Sequence, residues 1–171
     1  MKTILRLFIL LLFPLSTIFS GCTKDNDSGL TCPNSYLSIA QQVIHLKFVD
    51  KQTGENLVLK NGLQKEDIQI RDVQGDKVIN TWIMGRSMLD GTYDGSIEIR
   101  PLPQQAGKFT YQIKLGELAT TTLNFSMVFQ KKSDPCGFDY YKPTEVSVSG
   151  HAYEYLKIGE ELKKDFLIVK I

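Results

Sequence analysis

Residues 108–115 read KFTYQIKL, an unbroken alternation of polar and apolar side chains. Successive side chains of a β-strand point to opposite faces, so the four apolar side chains share one face and the four polar ones the other. Such a strand is typical of an antiparallel sheet that covers a core on one side only. This stretch therefore predicts an all-β protein.

The same period of two recurs on both sides of this stretch. Further alternating stretches are IHLKF at 44–48, IQIR at 68–71, IEIR at 97–100, LNFSMVFQ at 123–130, VSV at 146–148 and FLIVKI at 166–171. In the fourth of these, Leu123, Phe125, Met127 and Phe129 are predicted to share the inner face. Turn residues such as Thr53-Gly54 and Asn61-Gly62 lie between the stretches. Seven to nine short strands at this spacing predict a single antiparallel β-sandwich.

Helical patterning is scarce. Residues 34–42 and 159–165 could each form one or two helical turns, and neither stretch is long enough to cross over a parallel sheet. An open α/β enzyme fold is therefore not expected.

Residues 1–21 have the parts of a secretory leader, with Lys2 and Arg6 ahead of the apolar run 7–13. This run is shorter than the ~20 residues that span a bilayer as a helix. Residues 19–22, FSGC, resemble the lipobox of bacterial lipoproteins, in which the cysteine thiol accepts a diacylglyceryl group. The resemblance implies removal of the leader and lipidation of Cys22, whereas ordinary leader cleavage would leave Cys22 as a plain thiol.

Residues 22–33 follow as a polar, charged stretch with too little apolar content to fold alone, so we expect a flexible tether. Its lysine followed by acidic residues resembles the signal that sends lipoproteins of the Bacteroidetes to the outer face of the outer membrane. The resemblance implies a lipid-anchored protein of the outer membrane that faces the exterior; a generic linker is the alternative. Residues 34–171 are predicted to form the sandwich domain.

Charge gives no sign of a nucleic-acid partner. Without the leader, 18 basic and 19 acidic residues remain of the original 20 and 19, because Lys2 and Arg6 are removed. A nucleic-acid binder usually has a basic stripe, whereas the dense basic spots here are Lys131-Lys132 and Lys163-Lys164. The expected partners are the membrane, through the lipid, and a glycan or an envelope protein.

Lipidation of Cys22 would leave Cys32 and Cys136 as a pair in an oxidising compartment. A disulfide between them would join the start of the domain to the segment before its last strands. It closes a loop of about a hundred residues and could stabilise the fold by up to about 4–5 kcal/mol through chain entropy. Two independent thiols are the competing interpretation.

Residues 49–57, VDKQTGENL, carry a second resemblance. They are similar to the start of the small Ig-like or transthyretin-like sandwich lipoproteins of gut Bacteroidetes, where a strand ending in Asp, a Thr-Gly turn and a Leu-Val strand recur. The resemblance implies a sandwich of the Ig-like or transthyretin-like kind. It implies no particular activity.

No catalytic residue is expected. His45 lies on the predicted polar face of the first strand, and His151 lies at a predicted strand end. Either could act as an acid or a base, but a catalytic triad also needs a nucleophile and an orienting acid. The Gly-x-Ser-x-Gly elbow does not occur in the sequence. We therefore expect a protein that is not an enzyme.

No metal or cofactor is expected either. Residues 90–95, DGTYDG, offer the carboxylates of Asp90 and Asp94 on one short loop, whereas Ca²⁺ takes six to eight oxygen ligands. Glycine and aspartate are also the ordinary residues of hairpin loops. Zinc would need cysteine partners at ligand spacing, which Cys32 and Cys136 lack.

Aromatic residues are the candidates for ligand binding, because carbohydrate recognition on a sandwich uses exposed aromatic rings beside polar groups. The candidates are Trp82, Tyr93, Tyr140, Tyr141, Tyr153 and Tyr155. A tyrosine pair at a spacing of two residues, such as Tyr153 and Tyr155, is also typical of half-buried packing with the hydroxyl groups in water.

The sequence thus predicts a membrane-anchored, non-catalytic binding or accessory module of the cell envelope. The alternative is a structural assembly subunit, since fimbrial subunits of the Bacteroidetes are also lipoproteins built on transthyretin-like sandwiches. Such subunits carry a basic protease site after the anchor, and Lys24 is the only basic residue between Cys22 and Ser38. A hydrolytic enzyme or an inhibitor is the third class.

Overall fold

The computed structural model describes residues 42–86, 91–131 and 139–171. These residues contain a short α-helix, α1 (Leu57–Lys60), a 3-10 turn (Lys65–Asp67) and ten strands. The strands are β1 Ile44–Val49, β2 Ile68–Asp72, β3 Lys77–Val78, β4 Ile83–Met84, β5 Ile97–Ile99, β6 Gly107–Leu115, β7 Ala119–Gln130, β8 Tyr140–Ser149, β9 Ala152–Ile158 and β10 Glu161–Lys170. The predicted leader, tether, lipidation site and disulfide, and the predicted helical turn up to residue 41, lie outside the described residues.

The strands form two five-stranded sheets. Sheet A has the order β4-β5-β1-β10-β9, and sheet B has the order β3-β2-β6-β7-β8. The all-β prediction is confirmed in this sandwich-like arrangement. Sheet A is mixed rather than antiparallel, because β10 lies beside β1 in the same direction, with Leu46 opposite Leu167. The count exceeds nine strands because β3 and β4 have two residues each, too few to produce an alternating pattern.

Each sheet turns one face towards a shared hydrophobic core. Every second residue from Ile44 to Phe48 in β1 and from Phe109 to Leu115 in β6 is at most 9% exposed. Full burial of such a side chain contributes about 1.5–3 kcal/mol relative to leaving it in water. The alternation that predicted these strands is therefore also what determines the inner and outer faces of both sheets.

Strand β7 follows the same alternation except at its end. Leu123, Phe125 and Met127 are buried as predicted, but Phe129 is 50% exposed. Its ring packs on Tyr141 of β8 instead, with 5.5 Å between the ring centroids. The prediction for Phe129 is wrong because an inward-pointing side chain is buried only as far along its strand as the opposite layer extends.

The Leu-Val strand implied by the resemblance at 49–57 is wrong. Leu57 and Val58 instead begin helix α1, where they are 8% and 1% exposed. The Asn56 side-chain oxygen accepts hydrogen bonds from the backbone N–H groups of Val58 and Leu59, at 2.9 and 3.1 Å. Asparagine at this N-cap position satisfies N–H groups that a helix start leaves unpaired, and this favours a helical turn.

The predicted helical turn at 159–165 is also wrong. Gly159, with a φ of +61°, turns the chain between β9 and β10, and β10 already begins at Glu161. Glycine adopts this left-handed conformation without steric cost. The turn places Glu161 opposite Ile158 and makes the segment part of a hairpin.

The two long edge strands, β8 and β9, follow each other in the chain and belong to different sheets. Exposed strand edges invite pairing with other chains. In β8 the edge is interrupted by Pro143, which has no N–H to donate, and by a register shift where Glu145 has a φ of +52°. Both features weaken β8 as a template for strand addition.

Candidate ligand-binding groove on sheet A

The outer face of sheet A, turned away from the core, carries an open groove with a volume of about 590 Å³. Residues of β1, β9 and β10 form its floor, and residues 50–54 and Thr92 form its walls. Sites for small ligands generally have volumes of about 300–1,000 Å³. We call this feature the sheet A groove.

Strand register explains which side chains meet in the sheet A groove. Lys47 of β1 lies opposite Ile168 of β10, which lies opposite Glu154 of β9. Side chains of paired residues share a face of the sheet, so these three form a row across the strands. Lys170 and Leu156 lie two residues further along β10 and β9 and therefore join the same face. The floor is thus aliphatic at Leu156 and Ile168 and charged around them.

The wall at residues 50–54 is a tight turn organised by Asp50. The Asp50 carboxylate accepts hydrogen bonds from the backbone N–H groups of Thr53 and Gln52, at 2.9 and 2.8 Å, and these bonds hold its pKa below the ordinary value. Gly54, with a φ of +74°, donates its N–H to the Asp50 carbonyl oxygen at 2.8 Å. Oδ1 of the Asp50 carboxylate is therefore engaged within its own turn.

The lysines of the sheet A groove differ in their partners. The Lys170 ammonium pairs with the Glu154 carboxylate at 2.8 Å. Half-buried Lys47 donates to the carbonyl oxygen of Thr92 at 3.0 Å. Among the described residues, neither Lys47 nor Lys51 has a carboxylate oxygen within 4.0 Å of its ammonium nitrogen. Two cationic groups therefore line the groove without an anionic partner from the described part of the chain.

An aromatic cluster lies on the same outer face. The His45 ring packs on Tyr93 and Phe166, with centroid distances of 5.0 and 5.2 Å, and Tyr93 lies 5.3 Å from Phe166. Phe166 is opposite His45 in the β1–β10 register, and only 1% of it is exposed. A buried phenylalanine on an outer sheet face requires a cover, and Tyr93 provides part of it.

Burial lowers the pKa of His45, although the negative charges of Glu98 and Asp165 act in the opposite direction, and Arg100 lowers it further. The Nδ1 atom of His45 is buried and makes no hydrogen bond to the described residues. Desolvation disfavours the charged form of a histidine. The imidazole therefore serves here as a neutral packing surface for Tyr93.

The loop that carries Thr92 and Tyr93 is held by hydrogen bonds within itself and from the cap of α1. The Asn56 amide nitrogen donates to the carbonyl oxygen of Asp94 at 2.9 Å, and the Ser96 hydroxyl donates to that of Tyr93 at 2.7 Å. Together with the bond from Lys47, these contacts fix one wall of the groove. Asp90, one of the two carboxylates of residues 90–95, lies outside the described residues; within them, no three His, Cys, Asp or Glu side chains come together as metal ligands.

Trp82 lies in the core. The ring is 2% exposed, and the Lys65 ammonium lies 5.2 Å from its centroid. Trp82 therefore lacks the exposed ring face that a carbohydrate platform requires. Tyr93 is held in the cluster with His45 and Phe166, next to the groove wall rather than in the lining.

The other four tyrosine candidates lie on the edge strands. Tyr153 and Tyr155 are opposite Val169 and Leu167 and pack against the core, with their rings 5.7 Å apart. Tyr141 packs on Phe129 at the start of β8, next to Tyr140. The structure brings none of the six aromatic candidates into the lining of the sheet A groove.

The two histidines occupy different settings. His151 lies in the turn between β8 and β9, with Nε2 3.2 Å from the carbonyl oxygen of Thr120, whereas His45 belongs to the aromatic cluster. The two histidines, the possible acid–base groups of the sequence, therefore have different neighbours in the structure.

Over the described ranges, no helix is long and apolar enough to cross a bilayer. No family model, curated protein or solved structure matches the chain significantly.

Proposed function

We propose that this chain is a lipid-anchored, non-catalytic binding module of a bacterial cell envelope, held through Cys22 and facing the exterior. The observation that carries the proposal is the sheet A groove, an open site in which Lys47 and Lys51 lack carboxylate partners among the described residues. The proposal includes the Ig-like or transthyretin-like kinship implied by residues 49–57.

The anchor is supported by the lipobox resemblance at residues 19–22. One acyl chain holds a protein at a membrane only marginally, whereas two or more hold it stably. We expect the full-length chain, produced in a Gram-negative host, to incorporate labelled palmitate and to fractionate with membranes. The Cys22→Ala variant should do neither; labelling that persisted in this variant would contradict the anchor. Digestion by protease added to intact cells tests the exterior location.

The paired cysteines also belong to the proposal, and the strand directions support it. Because β8 and β9 are joined by a short turn, β9 and β10 are antiparallel, and β1 and β10 are parallel, the start of β1 lies at the end of the domain where β8 begins. The start of β1 and the start of β8, which follows the segment that contains Cys136, are thus at the same end of the domain. Mass spectrometry of the unreduced, digested protein should find a Cys32–Cys136 peptide pair, and a free Cys32 peptide would contradict it.

The binding role is tested with a charge placed on the groove floor. The mature lipoprotein in detergent micelles should capture a ligand from a panel of glycans and purified envelope proteins. Ile168→Glu should abolish capture, because it puts a carboxylate on the aliphatic floor. Gln112→Glu, on the outer face of β6 in sheet B, introduces the same side chain as a control and should leave capture intact. Hydrolysis of any panel member would contradict the non-catalytic role.

A structural assembly subunit is the alternative, and it would need a receptive strand edge. Pro143 and the bulge at Glu145 reduce that capacity in β8. We therefore favour the binding module. Polymer ladders on a mildly denaturing gel would favour assembly instead.

A further inference from the structure

We propose that the sheet A groove binds a carboxylate-bearing oligosaccharide, whose carboxylates meet the ammonium groups of Lys47 and Lys51. This inference rests on the proposed function and specifies the ligand of the same site.

The charges of the groove are arranged asymmetrically. Lys170 is paired with Glu154 at 2.8 Å, and Oδ1 of Asp50 accepts the backbone N–H groups of Gln52 and Thr53 in its own turn. Lys47 and Lys51 remain without a carboxylate partner from the described residues. An ammonium group binds an anion through charge-assisted hydrogen bonds, so half-buried Lys47 and exposed Lys51 favour an anionic ligand on their side of the groove.

The two sides of the groove give such a ligand a direction. Carboxylates are attracted towards the Lys47 and Lys51 side, because on the β9 side the Lys170 ammonium is already paired with Glu154. Glu154 can instead accept hydrogen bonds from hydroxyl groups, since a carboxylate has about four acceptor positions and Lys170 occupies one of them. A ligand that carries both carboxylates and hydroxyl groups therefore fits both sides.

The floor favours a saccharide over an acidic peptide. Strand β1 pairs with β5 and β10, and β10 pairs with β1 and β9, so the backbone groups of these two floor strands are already used in the sheet, while β9 lies at its edge. A peptide lying across β1 and β10 would find no strand edge for its own amide groups, and amides buried without a partner are costly. A sugar ring needs no backbone hydrogen bonds from a strand edge, because its hydroxyl groups can reach side chains such as Gln52 and Thr53 on the wall.

The aliphatic part of the floor fits the carbon face of a sugar ring. Leu156 and Ile168 are half-buried and belong to the lining. Contact with a ring face removes apolar surface of both partners from water. Because none of the aromatic candidates lines the groove, affinity should depend mainly on charge, and therefore on ionic strength.

The test uses one saccharide in two charge states. Isothermal titration calorimetry compares tetragalacturonate with its neutral methyl ester, both added to the mature lipoprotein in detergent micelles. We expect the acid to bind at least about tenfold more tightly than the ester and to lose affinity as salt is added. Lys51→Glu changes an exposed position where folding is not at risk. It should weaken binding of the acid by roughly fivefold or more. Lys47→Gln should weaken binding of the acid by a similar factor.

The control is Lys108→Glu, which makes the same change at an exposed position of β6 in sheet B and should leave the affinity unchanged. Equal affinity for acid and ester, no binding of either, or no effect of Lys51→Glu would overturn the inference. Tighter binding of tetraglutamate than of tetragalacturonate would overturn the saccharide assignment. If a neutral glycan or an envelope protein were captured in a manner sensitive to Ile168→Glu, this inference would fail while the proposed function stood.

Discussion

The Tyr155 hydroxyl donates a hydrogen bond of 2.7 Å to the backbone carbonyl oxygen of Val146. Val146 lies in β8 of sheet B and Tyr155 in β9 of sheet A, so this bond joins the long edge strands of the two sheets. It also satisfies a carbonyl group of an edge strand, which would otherwise depend on water. This side chain thus adds a hydrogen bond between the two sheets to the short turn that already joins β8 and β9.

Removal of this hydroxyl should destabilise the domain measurably. Tyr155→Phe keeps the ring on the core but leaves the Val146 carbonyl oxygen without its donor. The free energy of unfolding should fall by about 0.5–1.5 kcal/mol, measured by urea denaturation. Tyr141→Phe is the control, because Tyr141 contacts Phe129 through its ring. Equal losses in both variants would show that the bond contributes nothing specific.

Stability should decrease as the pH falls below about 6.5, because of His45. Its folded pKa is lowered by burial from an ordinary value of 6.5, so the unfolded state takes up the proton first. The contribution of neutral His45 to the free energy of unfolding is complete above the pKa of the unfolded state. It is lost as the pH falls towards the pKa of the folded state. Urea midpoints between about pH 7.5 and 5 measure this. His45→Phe, which keeps a ring between Tyr93 and Phe166, should flatten the profile; a slope that disappeared in His151→Gln instead would contradict the assignment.

Gly95 should tolerate a side chain less well than Gly54, although both have a positive φ, +65° and +74°. A Cβ on Gly95 would lie 2.7 Å from Leu59 Cγ and 2.8 Å from Asn56 Nδ2, whereas a Cβ on Gly54 would meet no atom within 4 Å. Gly54→Ala should cost about 1 kcal/mol of unfolding free energy, the conformational term alone. Gly95→Ala should cost clearly more. Equal thermal midpoints would show that the loop moves aside freely.

The sequence predicted features that depend on residues close together in the chain, such as strands and their faces. It missed features that depend on residues far apart in the chain, such as the sheet A groove. Alternation over residues 108–115 was enough to predict strand β6 and its inner face, because a side chain's face is a local property. The row of Lys47, Ile168 and Glu154 depends on β10 lying parallel to β1, about 120 residues away in the chain. Alternation placed Lys47 on an outer face but said nothing of the strands beside it.

Two further residues illustrate the same limit. Trp82 is an ordinary candidate for an exposed platform until the link between β3 and β4 places it in the core. Asn56 lies between the predicted Thr-Gly turn and the expected Leu-Val strand, yet its side chain both caps α1 and reaches Asp94, 38 residues further along. The only local signal for the cap was an asparagine directly before an apolar pair, which is equally typical of a turn before a strand.

The two roles of Asn56 should separate in a pair of variants. Asn56→Asp keeps an oxygen that accepts from the N–H groups of Val58 and Leu59, but it cannot donate to the carbonyl oxygen of Asp94. Asn56→Ala loses both. We expect urea denaturation to give a loss of about 1 kcal/mol for the aspartate variant and about 1–2 kcal/mol more for the alanine variant, since loss of a cap costs that much.

Hydrogen exchange then distinguishes the loop from the helix. The Ser96 N–H, which donates to the Tyr93 carbonyl oxygen at 3.0 Å, reports on the loop, and the Lys60 N–H, which donates to the Asn56 carbonyl oxygen at 2.9 Å, reports on α1. Asn56→Asp should speed exchange at Ser96 and leave Lys60 protected, because only the link to the loop is lost. Asn56→Ala should speed exchange at both. If Ser96 kept its protection in both variants, Lys47 and the aromatic cluster would suffice to hold this wall of the groove, and the contribution of Asn56 would be confined to α1.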